Sequence, residues 1–506
     1  MHALFVVFMH SYVLFKQFST TFSLKIIHGS IYNFKIYISI GLKIIYFAAY
    51  FQLPRTFQLY RSPEPSLHKT QEPNYFLHST LDRHSRTQAL LALVLRFLSL
   101  KSGAMSDSKK SIRLPDEILS HIFTYLPIKS LIIYTSVSKT WKSLIQNPTF
   151  ISTHLHHSHN NNKNNLLLLK LSRNDKQVYA LHKEDDLDFT EYTSFDSPLH
   201  GPHLRHPDHH VIGTCNGLLC LSDGLLYFAN ELFLWNPCVR KLLQFPIPRA
   251  TFDSRDLSFA SFGFGFDPKS NDYKVVRILS LLRCPSELGK FRPAVDVYSL
   301  STGEWRMLSA SASLPPICGI RQHKPPAFAN GALHWIAFRK DYNEFVLVFD
   351  LGDEVFRQIL LPELPGEMMW TRVSVYGNSI AVFERGSWSG PINIWVMKEY
   401  GVASSWTKFS YQCPSLGTLR PHPVGFRRNG EVVLEDVSEY NIIGGVVVLS
   451  DKDRRGLISW NPDSLNVKNL EIDGSHKTFL GSYVESLALL DKATEGPHAI
   501  MVGDEL

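Results

Sequence analysis

The chain has 506 residues, 44% hydrophobic and 19% charged, which gives it the length for several domains and the apolar content for a sizeable core. Its formal charge of +6 is unevenly spread, because residues 1–104 hold 11 of the 52 lysines and arginines but only three of the 46 acids, Glu64, Glu72 and Asp82. The rest of the chain carries 41 basic and 43 acidic side chains, and with no basic stripe it is not expected to bind nucleic acid.

Residues 1–104 do not read as a folded domain. The first 63 positions contain no acid, and two apolar stretches stand out: Ala3 to Phe15, and Ile36 to Leu53 broken by Lys43. The first has the length of a signal-peptide core but lacks a basic flank before it and a small-residue cleavage site after it. The second approaches the length of a membrane span, with a costly lysine near its middle.

From Leu114 to Ile145 the spacing predicts a run of short amphipathic helices. Pro115 suits a first helical turn, and Asp116 and Glu117 suit the positive end of its dipole. Ile118, Leu119, Ile122, Phe123 and Leu126 then form one apolar face, which Pro127 ends. A second apolar run, Leu131-Ile132-Ile133, follows Ser130, a candidate N-cap. Val137, Trp141, Leu144 and Ile145 share a third face, with Lys139 and Lys142 on the wet side. About forty residues this apolar make a marginal core alone, so the segment either caps the rest of the chain or buries its face against a partner.

The order LPDEIL, IF, LPIKSL, VSKTWKSLI across Ile112 to Phe150 resembles an F-box. That resemblance implies binding to a Skp-type adaptor, and through it to a cullin and a RING subunit. It places Leu114, Pro115, Ile118, Leu119, Ile122, Leu126, Pro127, Leu131, Val137 and Trp141 at the adaptor contact or in the face that carries it. Ser136 stands where plant members often have Cys. Met105 opens MSDSKKSIRLPDEIL, which resembles the ordinary start of such a protein. The F-box is therefore set at 105–152, and 1–104 is expected to be a poorly structured extension, either a gene-model artefact or a targeting segment.

Residues 153–165 are rich in His and Asn and are expected to be a flexible linker. A second histidine group lies at His200, His203, His206, His209 and His210. Neither group has the cysteine pairs of a structural zinc site, and no metal or other cofactor is expected.

From Leu166 the pattern changes to short strands between turn signals, beginning with Leu166 to Leu171 and Val178 to Leu181. A turn pair leading into an apolar strand recurs at Asn216-Gly217, Asn330-Gly331, Gly377-Asn378 and Asn429-Gly430. An aromatic-rich strand, a polar turn and another strand recur at 232–246, 295–309, 346–362, 392–409 and 457–472. They place Trp235, Tyr298, Phe349, Trp395 and Trp460 about 45 to 65 residues apart, a period suited to propeller blades. These aromatics, with Trp335 and Gly331, are expected to be blade core and turns. The inserts 249–260, 284–293, 310–326 and 386–390 are candidate binding loops.

GTCNGLLCL, LFLWNPCVRKLLQFP, FGFGFDPKSNDYKVVRI and YVESLALL resemble the F-box-associated domain of plant F-box/kelch-type proteins. The resemblance implies structural roles for Gly217, Trp235, Asn236, Pro237, Gly263, Gly265 and Asp267. Only Gly444-Gly445 supplies the glycine doublet of a true kelch repeat. Residues 166–492 are thus expected to form an all-β propeller-like repeat domain of about six blades behind a small all-α unit. Tyr483 to Leu490 is a candidate ring-closing strand, and 493–506 a tail.

No Gly-rich phosphate loop, HExxH or GxSxG elbow is present, and the six cysteines form no CxxC pair, so no catalytic residue is expected. The resemblance implies a non-catalytic receptor subunit of an SCF-type ubiquitin ligase, acting in the cytoplasm or nucleus, with a protein substrate on the propeller. In that reducing setting disulfides are not expected. A non-degradative scaffold and a carbohydrate-binding propeller are the alternatives.

Overall fold

The computed structural model describes residues 115–501 apart from the segments 161–165, 174–175, 200–208, 224–230, 246–257, 282–292, 309–313, 322–324, 363–369, 387–389, 413–420, 438–440, 449–454, 475–477 and 493–498 and positions 185, 187, 316, 340, 342, 444 and 445. The two N-terminal apolar stretches, Met105, Leu114, His200, His203, His206 and most of the four candidate binding loops lie outside the described residues.

Four helices open the described chain: α1 (Asp116–Thr124), α2 (Ile128–Tyr134), α3 (Lys139–Ile145) and α4 (Pro148–Asn160). Pro115 and Pro127 occupy the N-cap positions of α1 and α2, where a missing N–H costs nothing. Ser130 is therefore inside α2 rather than its cap. Ser138 caps α3 by accepting the Trp141 N–H at 3.1 Å, which leaves Val137 outside that helix. Asn147 accepts the Thr149 N–H at 2.8 Å at the start of α4.

Helix α4 corrects the expected linker, since the backbone stays helical through Asn160. Contacts with α1 override the composition. Phe150 is buried, the His154 ring N–H meets the Leu126 carbonyl at 3.1 Å, and His157 packs edge-on against Tyr125 at 4.7 Å. The hub of the unit is Phe123, fully buried, with the rings of Trp141, Tyr134 and Phe150 at 5.1, 6.1 and 6.4 Å.

The strands build six antiparallel blades. Blade 1 takes β1 (Leu166–Arg173), β2 (Lys176–Lys183) and β3 (Glu191–Asp196). Blade 2 takes β4 (His210–Cys215), β5 (Leu218–Ser222), β6 (Leu232–Asn236) and β7 (Lys241–Phe245). Blade 3 has β8 (Ser258–Asp267), β9 (Asp272–Leu281), β10 (Ala294–Ser299) and β11 (Glu304–Met307). In blade 4, β12 (Gly319–Ile320) and β13 (Ala327–Ala329) both pair β14 (Ala332–Phe338), followed by β15 (Glu344–Asp350) and β16 (Val355–Leu360). Blade 5 is β17 (Trp370–Tyr376), β18 (Ser379–Arg385), β19 (Ile392–Met397) and β20 (Trp406–Tyr411). Blade 6 is β21 (His422–Phe426), β22 (Val432–Val437), a hairpin of β23 (Asn441–Ile443) and β24 (Val446–Val448), then β25 (Arg455–Trp460) and β26 (Val467–Asp473).

The ring closes when β27 (Phe479–Tyr483) pairs with β1, from Leu166 opposite Tyr483 to Lys170 opposite Phe479. The closing strand thus lies just before the expected Tyr483 to Leu490, which leaves the sheet after Tyr483. Its sequence is apolar enough for a strand, but it packs against blade 2. β28 (Ala499–Met501) adds a fifth strand to blade 2 beside β7. The inner strands β27, β4, β8, β13, β17 and β21 neighbour one another around the ring.

The repeat pattern maps onto equivalent positions. Asn216-Gly217, Asn330-Gly331, Gly377-Asn378 and Asn429-Gly430 all join first to second strands, and each glycine has positive φ. Trp235, Tyr298, Phe349, Trp395 and Trp460 all lie on third strands. Gly263 and Gly265 have a different reason to be glycine. A Cβ at Gly263 would meet the Trp335 ring at 2.7 Å, and one at Gly265 the Phe328 ring at 2.5 Å, so these glycines seat blade 4 against blade 3.

Polar groups tie the blades as well. Asp267 accepts from Lys274, whose ammonium also donates to the Leu351 carbonyl and Glu354. His334 donates to Ala327 and accepts the Tyr400 hydroxyl at 2.8 Å. Arg372 of blade 5 donates to the Pro423 and Val424 carbonyls of blade 6 at 2.6 and 2.9 Å.

Cys215, Cys220 and Cys238 are free thiols, whereas Cys318 is disulfide-bonded, contrary to the expectation of none. Spacing in sequence carries no information about which loops of a ring meet.

Candidate docking surface of the helical unit

The helices divide the described candidate residues into three groups. Leu119, Leu126 and Leu131 are buried around Phe123 and hold the unit together. Pro115, Pro127, Ile118 and Val137 are exposed, the last two at 44% and 38%. Ile122 and Trp141 are half-buried, and Trp141 spends its ring on Phe123 and Tyr134.

The most exposed large apolar side chain of the unit is Ile133, at 64%. It closes the apolar run Leu131-Ile132-Ile133. The signal was there: three consecutive apolar residues on a helix span roughly 200° of its circumference, more than one core contact can cover. With Leu131 fully buried and Ile132 half-buried, Ile133 must turn outward. Ile118, Ile133, Val137 and the two prolines are thus exposed apolar residues, and Asp116, Glu117 and Lys139, near them in sequence, are exposed as well. Such surface suits association with another protein.

The unit also meets the ring. Gln146 after α3 donates to the Leu490 carbonyl at 3.1 Å, and His159 at the end of α4 lies 3.1 Å from Asn216 Oδ1. Asn236 donates to the Ser486 and Ala488 carbonyls at 3.0 and 2.8 Å. A Cβ on Gly217 would sit 2.5 Å from the Val484 carbonyl. The expected structural residues Gly217 and Asn236 therefore converge on segment 484–490, Trp235 packs edge-on against Tyr179 and Phe195 of blade 1, and Pro237 follows β6, while Gly331 and Trp335 belong to blade 4 and Trp395 and Trp460 to blades 5 and 6.

Chemistry among the described residues is quiet. Burial pushes the Cys215 and Cys238 thiols up to about 12 and Cys220 still further, so none is a thiolate nucleophile at neutral pH. Burial holds His334 down to about 4. No group of three or more His, Cys, Asp or Glu gathers to hold a metal among the described residues.

An F-box domain model matches residues 112–153, and a model described as an F-box associated beta propeller domain matches 171–490. The chain belongs to the F-box proteins that carry an F-box-associated β-propeller. It is 29% identical over 346 residues to the F-box protein At3g07870 of Arabidopsis thaliana, covering 62% of this chain and 75% of that protein. It is 29% identical over 332 residues to the F-box protein CPR1 of the same plant, covering 61% and 76%. The F-box/kelch-repeat protein At3g23880 is 26% identical over 312 residues, covering 58% and 78%.

Proposed function

We propose that this protein is a substrate receptor of an SCF-type ubiquitin ligase, without catalytic residues of its own. The carrying observation is the exposure of the apolar side chains Ile118, Ile133 and Val137 on a helical unit that is anchored to a six-bladed ring through Gln146. On this reading the helices bury that surface against a Skp-type adaptor, and cullin and RING subunits follow through the adaptor. The propeller binds a protein target, raising the effective concentration of its lysines near the activated ubiquitin. The receptor role assigns the work to the cytoplasm or nucleus, a reducing setting in which the Cys318 disulfide would open.

The two ends of the ring are unequal, which supports a division of labour. Turns between first and second strands, such as Asn216-Gly217, sit at the end that meets the helices. The strands that flank the inserts 249–260, 284–293, 310–326 and 386–390 end at the opposite one. Target binding is assigned to that opposite end. The test is a pull-down with the Skp-type adaptor. Wild-type protein retains adaptor and cullin, and the Leu114→Ala/Pro115→Ala variant, folded by circular dichroism, retains neither. Equal retention by both would refute the assignment.

A further inference from the structure

Segment 484–490 serves the ring and the helices at once. On the ring side, Asn236 clamps the Ser486 and Ala488 carbonyls, and Gly217 lets the segment pass within van der Waals contact. On the helix side, Gln146 donates to Leu490. The Leu490 carbonyl has two donors, because Lys241 of β7 also reaches it, at 3.3 Å. One backbone oxygen thus joins α3's end, the outer strand of blade 2 and the strand-closing segment. Lys129 of α2 lies close enough to Glu485 to oppose the rise that burial imposes on its carboxyl.

We propose that segment 484–490 is a positioning seat that couples ring closure to the placement of the F-box, so that helices and propeller behave as one rigid body. The segment directly follows β27, so loosening the ring at this point loosens the mount, and the reverse. The functional meaning rests on the proposed receptor role: a fixed mount sets the separation between the adaptor and a target at the far end. Gln146, Asn236 and His159 act through this geometry.

The test uses the full chain with spin labels on non-natural side chains at Ser136 and Glu304, both exposed. Electron–electron resonance gives the distance distribution, and hydrogen exchange reports amides 487–492. Wild type is expected to show one narrow distribution. Gln146→Ala/His159→Ala should broaden it and speed exchange at 487–492 about fivefold, the loss of roughly one hydrogen bond. Asn236→Ala, which leaves the helix donors intact, should broaden it as well. A narrow distribution in Asn236→Ala with the ring still folded overturns the shared seat, as does unchanged exchange in the double variant. Adaptor affinity is measured beside it. Failure of wild type to bind adaptor would refute the receptor role and leave the seat standing.

Discussion

Lys274 donates to Asp267 at 2.7 Å across the turn between β8 and β9, and both side chains are almost fully buried. The same ammonium reaches the Leu351 carbonyl and Glu354, so the pair is also the bolt between blades 3 and 4. Burial works against the Asp267 carboxylate, yet hydrogen bonds from Lys274, Ser270 and the Lys269 N–H outweigh it and hold its pKa below the usual range. A depressed carboxylate contributes stability above its unfolded pKa of about 4 and loses it as pH falls through the folded value.

Removing one partner should therefore be worse than removing both. Asp267→Asn is expected to cost about 2 kcal/mol in urea unfolding, because it leaves the buried Lys274 ammonium with Glu354 as its remaining carboxylate partner. Asp267→Leu combined with Lys274→Met should cost less than the single change. A double variant weaker than the single would show that the pair itself, rather than its unpaired half, sets the stability.

His334 gives a second acid limb. Its folded pKa of about 4 lies below the ordinary 6.5, so the unfolded chain binds more protons between those values. Stability should be full above about pH 6.5 and decline by roughly 3 kcal/mol towards pH 4, then flatten. In His334→Gln this decline should disappear from the urea-midpoint profile. An unchanged slope would place the titrating group elsewhere.

Gly217 combines positive φ with a backbone oxygen where a Cβ would lie. Backbone cannot move aside as a flexible side chain can, so Gly217→Ala should cost at least about 2 kcal/mol. Gly303, also at positive φ but with open space around it, is the control. Its alanine variant should lose only about 1 kcal/mol, from the backbone alone. Thermal unfolding of the two variants side by side checks the ordering.

The helical unit offers a sharper separation. Ile133→Glu changes an exposed side chain, so its effect on stability should stay within about 0.5 kcal/mol. Adaptor affinity should nonetheless fall at least about tenfold, since a charge enters the apolar contact. Leu131→Ala, two positions earlier and fully buried, should instead cost about 3 kcal/mol and lose binding only through unfolding. Isothermal titration with adaptor and thermal melts of both variants distinguish these outcomes.

Much of this architecture is legible in the chain because repetition amplifies weak signals. One Asn-Gly pair marks a turn, and three with one Gly-Asn at matching places mark blades, as do five aromatics that all fall on third strands. Burial within the helices was less legible. Leu119 and Ile118 are equally apolar neighbours, and only three-dimensional packing around Phe123 decides which faces inward. The helical extension to Asn160 was hidden for a related reason. His154 and His157 look like linker residues until the Leu126 carbonyl and the Tyr125 ring are brought beside them. Long-range partners such as Asn236 and Ser486 leave no periodic trace, although both motifs were recognisable as motifs.

The pairing of β27 with β1 sets an order of events during synthesis. β1 leaves the ribosome roughly 300 residues before β27, an interval of about 15 to 60 s at ordinary elongation rates. Throughout it Leu168 and Leu169, fully buried in the finished ring, wait beside an edge whose partner does not yet exist. A nascent chain in that state is open to strand-mediated aggregation and to chaperone capture. A premature stop codon in the few residues between Asp473 and Phe479 would consequently release the other strands of all six blades with no means of closing the ring, however little of the gene it removed.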